Sequence, residues 1–299
     1  MKTHFLRLLT ALPLTVALGC DSSEPPAPVD TVAQLANAAT AVATGFTFDS
    51  TGIATPPTGT LPAELLPRTA FDPAVLQRGL VGTTEAFSLT GGVALRRDLE
   101  SQTWKLEADP NAGSVLVLSK TESGPATAQD PAVLQRLALA RLQRWGIPTA
   151  ELGPVRQVQS FLQSEEGGVV GTPELHRHKT FVLRAINGIR VEGHRAVVSH
   201  GPDGGFQRAL IKWPALGRQG HLLHTRLTTA EIEQRAREAL LAEGETAGPV
   251  RLFWKYVPTQ LATGELALTL QVSAAMPSLT GASSTEEPRV VDVDVSAVP

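Results

Sequence analysis

The chain has 299 residues, a formal net charge of −3 and one cysteine. Hydrophobic residues make up 42% of it and charged residues 18%, which is the composition of a globular protein and excludes an intrinsically disordered chain. Because the net charge is slightly negative, the chain has no general attraction to nucleic acid, and no nucleic-acid partner is expected.

The first twenty residues have the pattern of an export signal. A basic start is followed by an apolar run from Leu8 to Leu18 and by Gly19, which directly precedes Cys20. As a helix this run would rise only about 16 Å, too short for a bilayer core of roughly 30 Å. The pattern resembles the signal of bacterial lipoproteins. That resemblance implies a signal peptide over residues 1–19, lipid attachment at Cys20, and a protein anchored to the cell membrane or outer membrane that faces the periplasm or exterior; secretion without an anchor is the alternative.

Acylation of Cys20 would leave no thiol in the mature chain, because this is the only cysteine. Disulfides, cysteine metal ligands and a cysteine nucleophile are then excluded. A chain without such cross-links needs a substantial hydrophobic core, and its length permits one or two domains.

The sequence predicts three segments after the signal peptide. Residues 20–85 form a lipidated tether and an irregular, proline-rich N-terminal segment, in which Thr31–Thr44 has the apolar spacing of a short helix. Residues 86–125 predict a small antiparallel meander. Its β-rich runs are Val93–Arg97, Thr103–Glu107 and Ser114–Leu118. Residues 126–299 predict an α+β domain.

Charge is distributed unevenly between these segments. Residues 20–85 carry a net charge of −5, whereas residues 130–220 carry +5. The basic excess favours a solvated arginine-rich surface, and contact with an acidic partner or with anionic lipid headgroups is the alternative.

Two helices are indicated in the last segment by their end signals. Asp130 and Pro131 have the residue types of an N-cap and a first helical position, and Gly146 ends the periodic pattern. Thr228 and Glu231 have the spacing of a capping box, which starts a second helix that ends near Gly244.

Strand patterns lie between and after the two helices. Asn187-Gly188 separates Thr180–Ile186 from Ile189–Ser199, which is the strongest short-range signal of a hairpin because both turn residues need positive φ. Further strands are predicted at Phe206–Trp213, Val250–Val257, Glu265–Ser273 and Arg289–Val295. The order predicts an α+β fold with antiparallel sheets and two packed helices.

One stretch carries a family resemblance. "RAINGIRVEGHRAVVSHGPDGGF", Arg184 to Phe206, is similar to the prodomain of thermolysin- and fungalysin-like metalloproteases, and "LTTAEIEQRAREAL" with "RLFWKYV" resembles the PepSY unit of such prodomains. The likeness covers residues 128–274. It implies a cystatin-like, PepSY/FTP-like second half that acts as an inhibitor, folding aid or docking module. The chain has no His-Glu-x-x-His motif, so the resemblance carries over no peptidase activity.

Histidines and acids are the candidates for metal chemistry. His176 and His178 on one strand, with His221 and His224 on one helical turn, are favoured as exposed histidines on a basic surface, and a zinc site is the alternative. A second candidate, for a cation such as Ca²⁺, is an acidic group near the C-terminus, and a half-buried strand is its alternative. Its members are Glu286, Glu287, Asp292 and Asp294.

The sequence therefore predicts a lipid-anchored, extracytoplasmic, non-enzymatic binding or regulatory protein. It is expected to have no catalytic residue, metal site or cofactor, and to act as an inhibitor or folding aid of an envelope or secreted peptidase. An exposed edge strand of an antiparallel sheet is the expected means of binding. A metal-dependent hydrolase that uses the histidines, and a structural envelope lipoprotein without a specific ligand, are the alternatives.

Overall fold

A computed structural model of the protein describes residues 45–57, 60–62, 65–81, 86–91, 97–166, 169–217, 219–222, 227–260, 266–276 and 289–295. The predicted signal peptide, Cys20, the predicted helix Thr31–Thr44 and most of the predicted strand Val93–Arg97 lie outside these residues. None of the helices in the described ranges is both long and apolar enough to cross a bilayer.

Strands dominate the described part of the chain. In chain order they are β1 (Phe46–Asp49), β2 (Thr60–Pro62), β3 (Leu65–Thr69), β4 (Ser88–Gly91), β5 (Arg97–Glu100), β6 (Trp104–Asp109), β7 (Ser114–Ser119), β8 (Leu152–Leu162), β9 (Glu165–Glu166), β10 (Val169–Val170), β11 (Glu174–Ile186), β12 (Ile189–His200), β13 (Phe206–Lys212), β14 (Pro214–Leu216), β15 (Gln219–Leu222), β16 (Gly248–Gln260), β17 (Leu266–Met276) and β18 (Arg289–Asp294). The α-helices are α1 (Pro73–Val81), α2 (Pro131–Arg144) and α3 (Thr229–Ala242).

Twelve of these strands form one mixed sheet in the order β18-β17-β16-β12-β13-β7-β6-β5-β4, with β1 beside β16 and with β11 and β8 beside β12. Most neighbours are antiparallel. Two pairs are parallel: β1 with β16, where Phe46 lies opposite Gly248, and β12 with β16, where Arg190 lies opposite Lys255. Strand β7 pairs with β13, so the strands predicted as a small meander continue into the main sheet.

The predicted fold class is wrong. The described chain is mostly β, built on a twelve-stranded mixed sheet with three α-helices, and is not a cystatin-like α+β fold with two helices on antiparallel sheets. The parallel pairs join segments far apart in sequence, and such contacts leave no local pattern that a sequence reading detects. Helix α1 was missed because its segment follows prolines that were interpreted as an irregular linker.

Each of the two longer helices presents an apolar stripe with a spacing of four residues. On α2 the stripe is Leu134, Ala138 and Leu142, and on α3 it is Ile232, Ala236 and Leu240; all six are buried. Ala138 and Leu142 of the first stripe belong to a core with β6, β7 and β11–β13, and the second stripe belongs to a core with β1 and β16–β18. The predicted succession of a helix followed by antiparallel strands thus occurs twice within one sheet.

The predicted end signals of the helices and hairpin are confirmed. The Asp130 side chain accepts a hydrogen bond from the Ala132 amide at 2.8 Å, and Thr228 with Glu231 forms a reciprocal capping box. In the β11–β12 turn, Asn187 has φ +52° and Gly188 has φ +79°, as a two-residue hairpin turn of this kind requires.

Candidate functional site

The structure separates the predicted histidine pair on β11 into different surroundings. His178 lies directly opposite His200 of β12 and is 6% exposed. His176 is half-buried, and its pKa is lowered by burial and then by the charge of Arg177. His200, which the sequence did not single out as a ligand, is therefore the cross-strand neighbour of His178.

His221 lies on β15 rather than on a helical turn, because Gln219–Leu222 pairs with β2. His224 lies outside the described residues. Within the described ranges, no three or more His, Cys, Asp or Glu side chains are grouped as a metal site would need.

Of the acidic group near the C-terminus, Asp292 is held in an ion pair. Its Oδ2 atom lies 2.7 Å from Nζ of Lys255, and its Oδ1 atom accepts a hydrogen bond from the Ser273 hydroxyl at 2.8 Å. Lys255 is 3% exposed and also pairs with Glu192. Glu286 and Glu287 lie outside the described residues, as does the side chain of Asp294. Lys255 thus joins β12, β16 and β18 through its two carboxylate partners.

The register of four adjacent strands decides which side chains share a face of the sheet. Arg156 of β8 lies opposite Phe181 of β11, Phe181 opposite Val197 of β12, and Val197 opposite Leu210 of β13. Directly opposed side chains of antiparallel strands project to the same side. These four residues therefore form one row, and residues two positions away along each strand extend the same face.

On β8 and β11–β13 this face carries six basic side chains, and it is called the basic face below. One acidic residue, Glu174, lies opposite Leu162 at the far end of this face. The basic residues are Arg156, Arg177, Lys179, Arg195, Arg208 and Lys212. Lys212 is exposed and the other five are half-buried. The Nε atom of Arg177 donates to Oε1 of Gln207 at 2.6 Å, which orders its guanidinium.

The basic face lies on the side of the sheet away from α2. The core under α2 uses side chains of the opposite face, such as Val182, Ala196 and Ala209. On the basic face, Phe181 and Val197 belong to neither core, yet each is only 8% exposed. Long basic side chains lay their aliphatic stems along apolar surface, and this leaves their charged ends toward solvent.

Strand β8 forms an edge of the sheet beside the basic face. It pairs with β11 from Leu162 to Leu152, and its other side pairs with no strand among those described. At the far end of the β8–β11 hairpin, Phe161, Leu162 and Val170 are 55%, 49% and 59% exposed. An eleven-residue edge with an apolar tip offers unpaired backbone groups to an extended segment.

A buried polar cluster lies on the opposite face, at the end of α2. The guanidinium carbon of Arg141 lies 4.1 Å from the ring centroid of Phe206, and the His200 ring makes an edge contact with the same ring at 6.3 Å. His200 is 1% exposed. Burial, then Arg141 and then His178 lower the pKa of His200 to about 4, so this imidazole is neutral at pH 7.

Sequence reasoning found the basic excess of residues 130–220 but not the face that it forms. The six cations lie on four strands, and their common face can be recognised only once the register of three strand pairs is known. The two-residue spacing of basic residues along a strand, as in Arg177 and Lys179, was the available signal.

Comparisons with known proteins indicate a fold and no function. No protein-family model matches the chain, and no curated protein matches it. A crystal structure of an uncharacterized protein from Eubacterium rectale matches with a TM-score of 0.50 and 11% identity, over 86% of this chain and 90% of that one. The C-terminal domain of YpeB from Bacillus megaterium matches with a TM-score of 0.33 and 9% identity, over 76% of this chain and 99% of that one. The first likeness is one of fold alone, and the second is too small to support an argument about this chain.

Proposed function

We propose that this chain is a lipid-anchored extracytoplasmic binding protein that takes an extended, acidic segment of a partner protein along strand β8. One observation carries the proposal: among the described strands the eleven-residue β8 is paired on one side only, next to a face with six cations and a single acid at its far end. Sheet extension supplies main-chain hydrogen bonds, and the adjoining face supplies selection by charge.

The geometry of an added strand defines which side chains would meet it. Neighbouring strands lie about 4.8 Å apart, so an added strand would place every second side chain beside Arg156 and Val158 of β8. Lys179, one strand further in, is within reach of a long acidic side chain. The favoured partner segment therefore alternates acidic with other residues, and its acids lie over the basic face.

The export signal and the prodomain resemblance support the finer parts of the proposal. Acylation of Cys20 would hold the fold at a membrane surface outside the cytoplasm, where secreted and envelope peptidases mature. Prodomains of the resembled family assist the folding of their peptidases and inhibit them. We propose the same role for this chain, with a peptidase encoded as a separate chain as its target.

Binding of designed peptides by the lipid-free mature chain tests the proposal. The probe is a fluorescent peptide of the length of β8 that alternates glutamate with valine, and its counterpart alternates lysine with valine. We expect fluorescence anisotropy to detect binding of the glutamate peptide and not of the lysine peptide. The affinity should fall as salt is raised, because the charges involved are exposed to solvent.

Charge reversal identifies the surface responsible. The double variant Arg156→Glu/Lys179→Glu should weaken binding of the glutamate peptide at least tenfold, since it replaces attraction by repulsion at two positions. Arg144→Glu is the matched control, because Arg144 is an exposed arginine on α2, away from the basic face, and binding should be unchanged. Equal affinity for both peptides, or binding to anionic phospholipid vesicles in place of the peptide, would reject the proposal.

A further inference from the structure

We infer that Arg141, His178 and His200 form a buried binding site for a small monovalent anion of the size of chloride. The three side chains meet at the end of α2, on the face of the sheet opposite to the basic face. Nothing in the proposed function uses them, so this inference is independent of it.

The first step concerns the hydrogen bonding of four nitrogen atoms in this cluster. Nη1 of Arg141, Nε2 of His178 and both ring nitrogens of His200 are buried and make no hydrogen bond within the part of the chain that the structure describes. The two imidazoles are more than nine-tenths buried. Buried polar groups in folded proteins are almost always satisfied by protein, water or an ion, so several orphaned groups side by side indicate a bound species.

The second step is the sign of the charge. Arg141 remains a cation, since burial, followed by the like charge of Arg144, lowers its pKa only to about 10. Among the described residues, no carboxylate acts on it. A buried cation is costly unless a counter-charge accompanies it. The two neutral imidazoles each offer one N–H donor, so all three residues can donate to the same anion.

The third step is the size of the ligand. The Phe206 ring, which stacks on Arg141, also contacts Trp104 at 5.5 Å and Trp145 at 5.8 Å between ring centroids. These contacts pack three aromatic rings together on the side of the cluster formed by Phe206 and leave little room there. A monatomic anion fits these surroundings better than a sulfate, a phosphate or a metabolite.

Thermal unfolding of the full mature chain in matched salts tests the inference. Bromide is the probe and gluconate, too large for the cluster, is the reference at equal ionic strength. We expect the Tm to rise saturably with bromide, by about 2–4 °C at a concentration ten times the dissociation constant. The variant Arg141→Met should lose this dependence. Arg144→Met, which removes an exposed cation three residues further along the same helix, should keep it.

Anomalous diffraction from bromide-soaked crystals gives a second measurement that does not rely on a folded variant. A bromide peak within hydrogen-bond distance of Arg141 and His200 is expected. An identical Tm of the wild-type chain in bromide and gluconate, or crystals in which only water contacts these side chains, would overturn the inference.

Discussion

The Nη2 atom of Arg184 on β11 lies 2.8 Å from the Oε2 atom of Glu151, the residue that immediately precedes β8. The same carboxylate oxygen accepts from Nε1 of Trp213 at 2.8 Å, and Nη1 of Arg184 donates to the Pro214 carbonyl at 2.6 Å. Arg184 is fully buried, so this ion pair fixes the start of the edge strand against the sheet.

Replacing Glu151 by glutamine should therefore destabilise the protein. The change leaves the Arg184 charge buried without its carboxylate, and because Glu151 keeps some solvent contact we expect a loss of about 2 kcal/mol. Urea unfolding measures it, with Glu165→Gln on the exposed hairpin tip as a control that should change little. Equal stability of the two variants would show that the pair contributes nothing.

Stability should fall as the pH drops below about 6.5, the ordinary pKa of an unfolded histidine. The pKa of His200 is lowered to about 4 by burial, then by Arg141 and then by His178. The pKa of His194 is lowered to about 3 by burial, then by Arg184 and then by Lys212. Between these values and 6.5 the unfolded state binds more protons, so the free energy of unfolding rises with pH by up to about 1.4 kcal/mol per unit for each histidine.

The variant His200→Gln tests the contribution of one of these residues. Urea titrations between pH 4.5 and 7, made in gluconate buffers, should show a slope smaller by about one proton than in the wild-type chain. A slope unaffected by the substitution would mean that His200 already titrates normally in the folded protein.

The capping box of α3 leads to a prediction about stability at the start of this helix. The Thr228 hydroxyl accepts a hydrogen bond from the Glu231 amide, while the Glu231 carboxylate accepts one from the Thr228 amide at 2.7 Å. Thr228→Ala should cost about 1 kcal/mol. Thr229→Ala, one residue on and equally exposed, removes no cap and should be close to neutral in the same urea experiment.

The β11–β12 turn leads to a prediction about stability when its glycine or its asparagine is replaced. An added Cβ at Gly188 would meet no atom of the described residues within 4 Å, so the cost of Gly188→Ala is expected from its φ of +79°. We expect a loss of about 1 kcal/mol, whereas Asn187→Gly should be tolerated because glycine adopts positive φ freely. A stable Gly188→Ala variant would mean that the turn changes type.

The local features of this fold were predictable from sequence and the distant ones were not. Asp130, Thr228 and Asn187 act within a few residues of themselves, so their hydrogen bonds and φ angles follow from residue type and spacing. The parallel pairing of β1 with β16 joins segments about two hundred residues apart, and no short-range pattern encodes it.

The candidate site likewise combines residues that the sequence revealed with distant contacts that it did not. The basic residues of β11 and β13 were visible in the sequence, and their excess favoured a solvated surface, with an acidic partner or lipid surface as the alternative. Their convergence with Arg156 depends on the pairing of β8 with β11, which contains two register shifts. The cluster of Arg141 with His200 joins a helix to a strand fifty-nine residues later and has no sequence signal at all.

Hydrogen–deuterium exchange with the glutamate–valine peptide bound is the most direct measurement of the proposed function. Backbone amides of Leu152–Leu162 should gain protection, because the added strand would pair with them. Amides of Arg289–Asp294 in β18, the strand at one end of the sheet path and away from β8, should exchange as before. Unchanged exchange in β8 while the peptide is bound, or equal protection at both edges, would contradict binding by sheet extension at β8.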